Sequence, residues 1–328
     1  MTQQDAITTG SSMTLVLNPN ARKLKRQPLT EDDFRKLLSP TSDIYLTRDL
    51  SELDALMSNW EHGERTLCFY GGDGSIMRGI TSLIRQHGED FELPPVLPVR
   101  AGTINMLCNV TGKREKAQKT LARWNDGSRP HEIREIPTLR VQVEDEEPRY
   151  GFVFAWGIGH RVLVEHYSRN DSPNALGATA VATHAFLQAI TPFNESFPLF
   201  KRESLSLSVE GGALVEHPMH TLTAGTIPRL ALGIRPFPPG DVLPGGFHFS
   251  ANGMPLYKVA AYVPTLLFGL GNQGELDFGD SLVCGAQVRE LECRMSGGFT
   301  LDGELFELAP RSRVKLSAGP VARFWTRE

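Results

Sequence analysis

The most constraining feature of the chain is one short segment, Phe69-Tyr70-Gly71-Gly72-Asp73-Gly74-Ser75. The apolar run Thr66–Tyr70 precedes it and reads as a buried strand. After it, Ile76, Ile80, Leu83 and Ile84 form an i, i+4, i+7, i+8 stripe, which predicts an amphipathic helix over 76–86. A glycine-rich turn from strand to helix is where open α/β sheets place their ligands. Three glycines let the backbone approach a phosphate with no Cβ in the way, and their N–H groups can face anionic oxygens. Ser75 is expected to cap the helix, whose start favours negative charge. Asp73 is the acid in the turn, and beside phosphates it makes sense as a holder of Mg²⁺ or of a positioned proton.

Two familiar phosphate loops are excluded. A Walker A loop needs Lys and then Ser or Thr after its last Gly, whereas Ile80-Thr81 follow Gly79. A dinucleotide fingerprint needs G-x-G-x-x-G after the first strand, and the first strand here runs into Asn18-Pro19-Asn20.

The surrounding pattern sets the fold class. Thr14–Leu17, Ile44–Thr47, Thr66–Tyr70 and Val96–Val99 read as strands. Between them, Phe34, Leu37 and Leu38 have helical spacing, as do Leu53, Leu56, Met57 and Trp60 with Ser51 as the expected cap. Alternating strand and helix predict a parallel sheet covered by helices on both faces, a three-layer α/β domain. After residue 135 the period becomes two, as in Leu139–Val143 and Leu205–Val209, which predicts a mostly antiparallel β domain. One Ala-rich helix is expected within it at 175–190, and residues 1–12 read as a flexible tail, not a secretory signal.

Composition removes several function classes. With 34 Lys and Arg against 38 Asp and Glu, the net charge is −4, which gives no basic field for nucleic acid. Four cysteines without a CxxC pair argue against a zinc cluster or a disulfide framework. The longest apolar run, Val259–Leu270, is interrupted by Pro264 and is shorter than the roughly 18–20 residues a membrane span needs, so it reads as core. His217 with His220, and His160 with His166, read as ordinary surface or core histidines.

Two further segments complete a constellation. Ala101-Gly102-Thr103-Ile104-Asn105 is a second small-residue loop after a strand, and Asp302-Gly303-Glu304 is a turn with an acid on each side of a Gly. Taken alone, Asp-Gly is a common hairpin turn. In this order, Asn18-Pro19, Gly71–Ser75, Gly102–Asn105 and Asp302–Glu304 resemble the diacylglycerol kinase catalytic superfamily, which includes bacterial lipid kinases and sphingosine and ceramide kinases. The resemblance covers residues 13–328.

It implies an ATP-binding α/β domain over 13–135 plus 312–328 and a β-rich lipid domain over 136–311. It implies a nucleotide site built from Asn18, Thr47, Gly71, Gly72, Asp73, Gly74, Ser75, Ile76, Met77, Gly102, Thr103 and Asn105, with Asp73 at the Mg²⁺ and phosphate end. Glu304, with Asp302 beside it, would accept the proton of a lipid hydroxyl. The implied enzyme is cytoplasmic, docks transiently on the inner membrane face, and carries its lipid between the domains, where the 175–190 helix could line the cleft. Met106 stands where many members have Asp, and the family's structural Mg²⁺ loop lacks its Asp at Pro244-Gly245-Gly246. An NAD kinase shares Gly-Gly-Asp-Gly loops, but Asp302-Gly303-Glu304 and the lack of an Asn-Glu motif speak against it. A non-catalytic nucleotide binder with a lipid-sensing role is the alternative outside the enzymes.

Overall fold

The computed structural model describes residues 12–21, 24–25, 29–60, 65–102, 105–112, 115–126, 132–169, 197–228, 235, 237, 242, 244–255 and 282–326. The chain divides into two compact units, Met1–Ile136 with Pro320–Glu328, and Pro137–Gly319. The expected helix at 175–190 and the apolar run at 259–270 lie outside the described residues. No described helix is long and apolar enough to cross a membrane.

In the first unit, β1 (Met13–Leu17), β2 (Asp43–Leu46) and β3 (Thr66–Tyr70) form a parallel sheet in the order β2-β1-β3. Every residue of β1 and β3 is buried, as a parallel sheet with two covered faces requires. Strand alternation sends Cys68 and Tyr70 to one face. There they join Met13, Leu15 and Leu17, Phe34 of α1 (Glu31–Arg35), and Leu121 and Trp124 of α5 (Ala117–Asn125). Phe69 faces the other way, onto α3 (Asp73–His87). A Cβ at Gly79 would meet the Phe69 ring at 2.0 Å, so the helix lies against the sheet only because residue 79 has no side chain. On that face α2 (Leu50–Ser58) packs on α3, and the His87 ring bonds the Met57 carbonyl at 2.8 Å.

Three local expectations need correcting. The segment Val96–Val99 is no full strand but a single parallel bridge at Val96, to Leu67 on one side and Phe324 on the other. Pro94, Pro95 and Pro98 take away the N–H groups a longer ladder would use. Ser51 does not cap α2; Asp49 does, accepting from the Glu52 N–H at 2.9 Å while Ser51 Oγ donates to Asp49 at 2.7 Å. The helix expected from the spacing of Phe34, Leu37 and Leu38 runs only from Glu31 to Arg35, its start set by the capping box of Thr30 and Asp33.

The second sheet has ten strands among the described residues. Its main path runs β11 (Leu282–Val288), β10 (Phe247–Asn252), β9 (Thr221–Gly225), β6 (Val153–Gly157), β12 (Glu290–Leu301), β13 (Glu304–Trp325), β4 (Ile133–Val143) and β5 (Arg149–Gly151). Off this path, β7 (Glu203–Val209) pairs with β12 and with β8 (Val215–Met219). The β11–β10, β10–β9, β9–β6, β6–β12 and β4–β5 pairs are antiparallel, as is the long β12–β13 hairpin, which carries an irregularity between Met295 and Gly297. Helix α6 (Ile158–Arg169) leaves the end of β6 directly.

His160, near the start of α6, is 8 % exposed and lies over Gly298. Burial holds its pKa below the ordinary histidine value of 6.5; Glu307 and Glu203 pull the other way and Arg161 adds to the lowering. A base with a depressed folded-state pKa favours folding in its neutral form. Its contribution is therefore full above about pH 6.5 and is lost as pH falls through the folded value. In urea unfolding, His160→Gln is expected to reduce the stability lost between pH 7 and 5 relative to the parent protein. Parallel pH profiles would show that His160 carries none of that slope.

Candidate functional site

The register of three strands assembles the first part of the site. Leu17 pairs with Leu46 and with Tyr70, so the next residues, Asn18, Thr47 and Gly71, emerge along one carboxyl edge. The Thr47 N–H donates to the Leu17 carbonyl at 2.9 Å, and the Asn18 N–H donates to the Tyr70 carbonyl at 3.4 Å. This is the edge at which parallel α/β sheets bind ligands.

The glycine turn is shaped by absent side chains. A Cβ at Gly71 would lie 2.1 Å from Ser75 Oγ and 2.5 Å from Ser75 Cβ. Ser75 does not cap α3, contrary to expectation. The helix begins at Asp73, so Ser75 is already in its first turn, and the N-cap is Gly72, which has no side chain to bond with. Ser75 Oγ instead accepts from Asn18 Nδ2 at 3.3 Å, tying the turn to the end of β1. The start of a 15-residue helix is thus left without a side-chain cap at its positive dipole end, although the Ser75 N–H is already donated to the Gly72 carbonyl at 3.0 Å.

The second loop closes against the first, backbone to backbone. A Cβ on Gly102 would sit 2.4 Å from the Gly72 Cα, so neither loop could approach the other with a larger residue there. Asn105 adopts a left-handed conformation, φ 56°, which Asn tolerates better than most residues. Its side chain brackets Gly102, accepting from the Gly102 N–H at 3.0 Å and donating to the Gly102 carbonyl at 2.8 Å. Thr103 and Ile104 lie outside the described residues.

Asp73 bonds across to the second loop. Its two carboxylate oxygens accept from the Met106 N–H at 2.9 Å and the Leu107 N–H at 3.1 Å, at the start of α4 (Met106–Val110). The side chain is buried, and burial pushes its carboxyl above the ordinary Asp value despite these amides. No group of three or more His, Cys, Asp or Glu able to hold a metal occurs among the described residues. Asp73 therefore acts as a clamp between the two loops. The clamp also answers why an acid sits in such a turn: its oxygens face amides. Met106 serves through its N–H, a role that needs no acid side chain. Ile76 and Met77 are each 3 % exposed, so they can offer a ligand backbone groups but not side chains.

The clamp can be tested by Asp73→Asn, which sets an NH₂ donor against a backbone N–H. Leaving a buried donor unsatisfied costs about 1–3 kcal/mol, and a loss of that size is expected in urea unfolding. Unchanged stability would show that these contacts carry nothing.

Asp302 and Glu304 belong to the second unit. Asp302-Gly303 is the two-residue turn of the β12–β13 hairpin, with both φ angles positive, 50° and 90°. That is the type I′ geometry that Asp-Gly favours. The turn is no free surface tip. Asp302 is 6 % exposed; its carboxylate accepts from the Phe152 N–H at 3.0 Å and the Val153 N–H at 2.9 Å, and its own N–H donates to the Val153 carbonyl at 2.9 Å. Asp302 is occupied with holding the turn, and Glu304, half-buried, follows it as the first residue of β13. On α6, Tyr167 donates its hydroxyl to the Gly303 carbonyl at 3.0 Å. Sequence reasoning passes over Tyr167, since no local pattern links it to a carbonyl 136 residues further on.

A parallel α/β unit with a glycine turn at its carboxyl edge, joined to an antiparallel β unit, is the fold of the diacylglycerol kinase catalytic domain. No family model and no curated protein matches the chain. Solved structures do match it over essentially the whole length. One is a candidate diacylglycerol kinase from Bacillus anthracis str. Sterne, 14 % identical with a TM-score of 0.66, covering 100 % of this chain and 99 % of that one. A second candidate from the same strain is 12 % identical, with a TM-score of 0.65 and 98 % coverage of each chain. A third diacylglycerol kinase structure from that strain is 11 % identical, with a TM-score of 0.62 and 98 % coverage of each.

Proposed function

We propose that the protein is an ATP-dependent lipid kinase that transfers the γ-phosphoryl group to a lipid hydroxyl. The observation that carries this reading is the uncapped start of α3, set behind a glycine turn at the carboxyl edge of a parallel sheet. The kinase names of structures with the same fold support it. Backbone groups of Gly71, Gly72 and Gly74 bind phosphate oxygens, with Asn18, Thr47, Ser75, Gly102, Thr103 and Asn105 around the nucleotide. Asp73 ties the first loop to the start of α4, and Asn105 shapes the second loop from within. Asp302 holds the hairpin tip, and Glu304 accepts the proton of the attacking hydroxyl. Phosphoryl transfer asks little covalent chemistry of a protein; positioning and charge stabilisation supply most of the rate. The lipid hydroxyl is reached by transient docking on a membrane surface.

Purified protein, incubated with labelled ATP and Mg²⁺ over diacylglycerol, sphingosine, ceramide, phosphatidylglycerol and NAD, tests the reading. Label is expected in one of the lipids. Label in NAD alone would remove the lipid-kinase reading, and ATP binding without any transfer would make the protein a non-catalytic nucleotide binder.

A further inference from the structure

The hairpin tip that carries Glu304 is held from two sides. The Asp302 carboxylate anchors one side through the Phe152 and Val153 amides. The other side rests on the Gly303 carbonyl, which accepts from the Tyr167 hydroxyl at 3.0 Å. That carbonyl belongs to the same rigid, planar peptide unit as the N–H of Glu304. A bond to the oxygen therefore fixes the plane from which the Glu304 side chain departs.

We propose that Tyr167 is a positioning residue for Glu304, setting the orientation of the Gly303–Glu304 peptide and so the direction of the carboxylate. The inference rests on the reading of Glu304 as proton acceptor. Helix α6 is suited to the task because it is itself anchored. Arg161, on its first turns, donates to the carbonyls of Leu199 at 2.9 Å and Lys201 at 2.8 Å and pairs with Glu203 at 2.7 Å. Burial first, and the neighbouring Glu304 carboxylate second, push the Tyr167 phenol above the ordinary tyrosine value, so the hydroxyl keeps the proton it donates.

The test uses Tyr167→Phe and Glu304→Gln, singly and combined, assayed with labelled ATP and dioleoylglycerol in mixed micelles. Tyr167→Phe is expected to lower kcat about tenfold, equal to about 1.4 kcal/mol, with KM for ATP unchanged. In the Glu304→Gln background the same change is expected to cost nothing more, because it acts through the carboxylate. A full tenfold loss in both backgrounds would overturn the proposal, and so would a parent-like kcat for Tyr167→Phe when Glu304→Gln is impaired. A parent-like rate for Glu304→Gln would overturn the base reading and the proposal together. Amide hydrogen exchange gives a second readout, independent of turnover. Tyr167→Phe is expected to speed exchange at Glu304 while leaving the Arg149–Gly151 strand unchanged, and equal exchange at Glu304 would overturn the proposal even if no lipid were phosphorylated.

Discussion

Glu304→Gln is expected to lower turnover roughly 10²–10⁴-fold, the usual contribution of a general base. At about 1.36 kcal/mol per decade that is about 2.7–5.4 kcal/mol of barrier. Glutamine keeps the shape and the hydrogen-bonding reach but cannot take the proton. The dissociation constant for ATP is expected to stay within about twofold, because Glu304 belongs to the second unit and the two glycine loops to the first. If Asp302-Gly303-Glu304 were merely a turn, the exchange would behave as an ordinary surface substitution, within about ±0.5 kcal/mol, or less than about threefold in rate. The hairpin makes the comparison clean. Its tip is fixed through Asp302, whose bonds the substitution leaves in place, so loss of the tip cannot account for a large effect. Turnover and ATP affinity measured on one preparation separate the readings. A large loss of ATP binding with the rate per bound complex preserved would reject the base assignment.

What the sequence makes legible here is periodicity and backbone need. The largely apolar runs at Thr14–Leu17 and Thr66–Tyr70 are the fully buried strands β1 and β3, since a strand covered on both faces is apolar nearly throughout. The Asp-Gly pair is the tight turn its chemistry demands. Gly71 and Gly102 stand where a Cβ would collide with Ser75 or with the Gly72 backbone. Illegible were the partners of polar side chains, because these are set by packing between segments remote in sequence. Asp73, read along the chain, is an acid in a phosphate turn, and nothing local shows that its oxygens accept from amides 33 and 34 residues away. Ser75 looks like a cap, but its hydroxyl meets Asn18, 57 residues earlier. Val96–Val99 has the apolar character of a strand, while its prolines set how far the ladder can run.

Gly72→Val is expected to abolish ATP binding while the far-UV circular dichroism stays near that of the parent protein. The dihedrals at Gly72 are extended, φ −100° and ψ −172°, so valine can adopt the local conformation without backbone strain. What it cannot do is leave the loops where they are. Its Cβ would lie 3.3 Å from the Gly102 Cα, tighter than ordinary contact, and two further methyl groups must then go toward the second loop or into the space in front of α3. The first direction pries apart a junction otherwise held by the Asp73 bonds to Met106 and Leu107; the second fills the place proposed for a phosphate. Either outcome would remove the proposed anion site, and neither acts on the residues that pack β1 and β3. Gly102→Ala is the companion change, adding one carbon 2.4 Å from the Gly72 Cα from the opposite side. If the two loops form one nucleotide site, both variants lose ATP in equilibrium binding, at least a hundredfold for Gly72→Val, or about 2.8 kcal/mol. Normal ATP affinity in Gly72→Val would take the glycine turn out of the nucleotide site. Normal affinity in Gly102→Ala alone would restrict the site to the first loop.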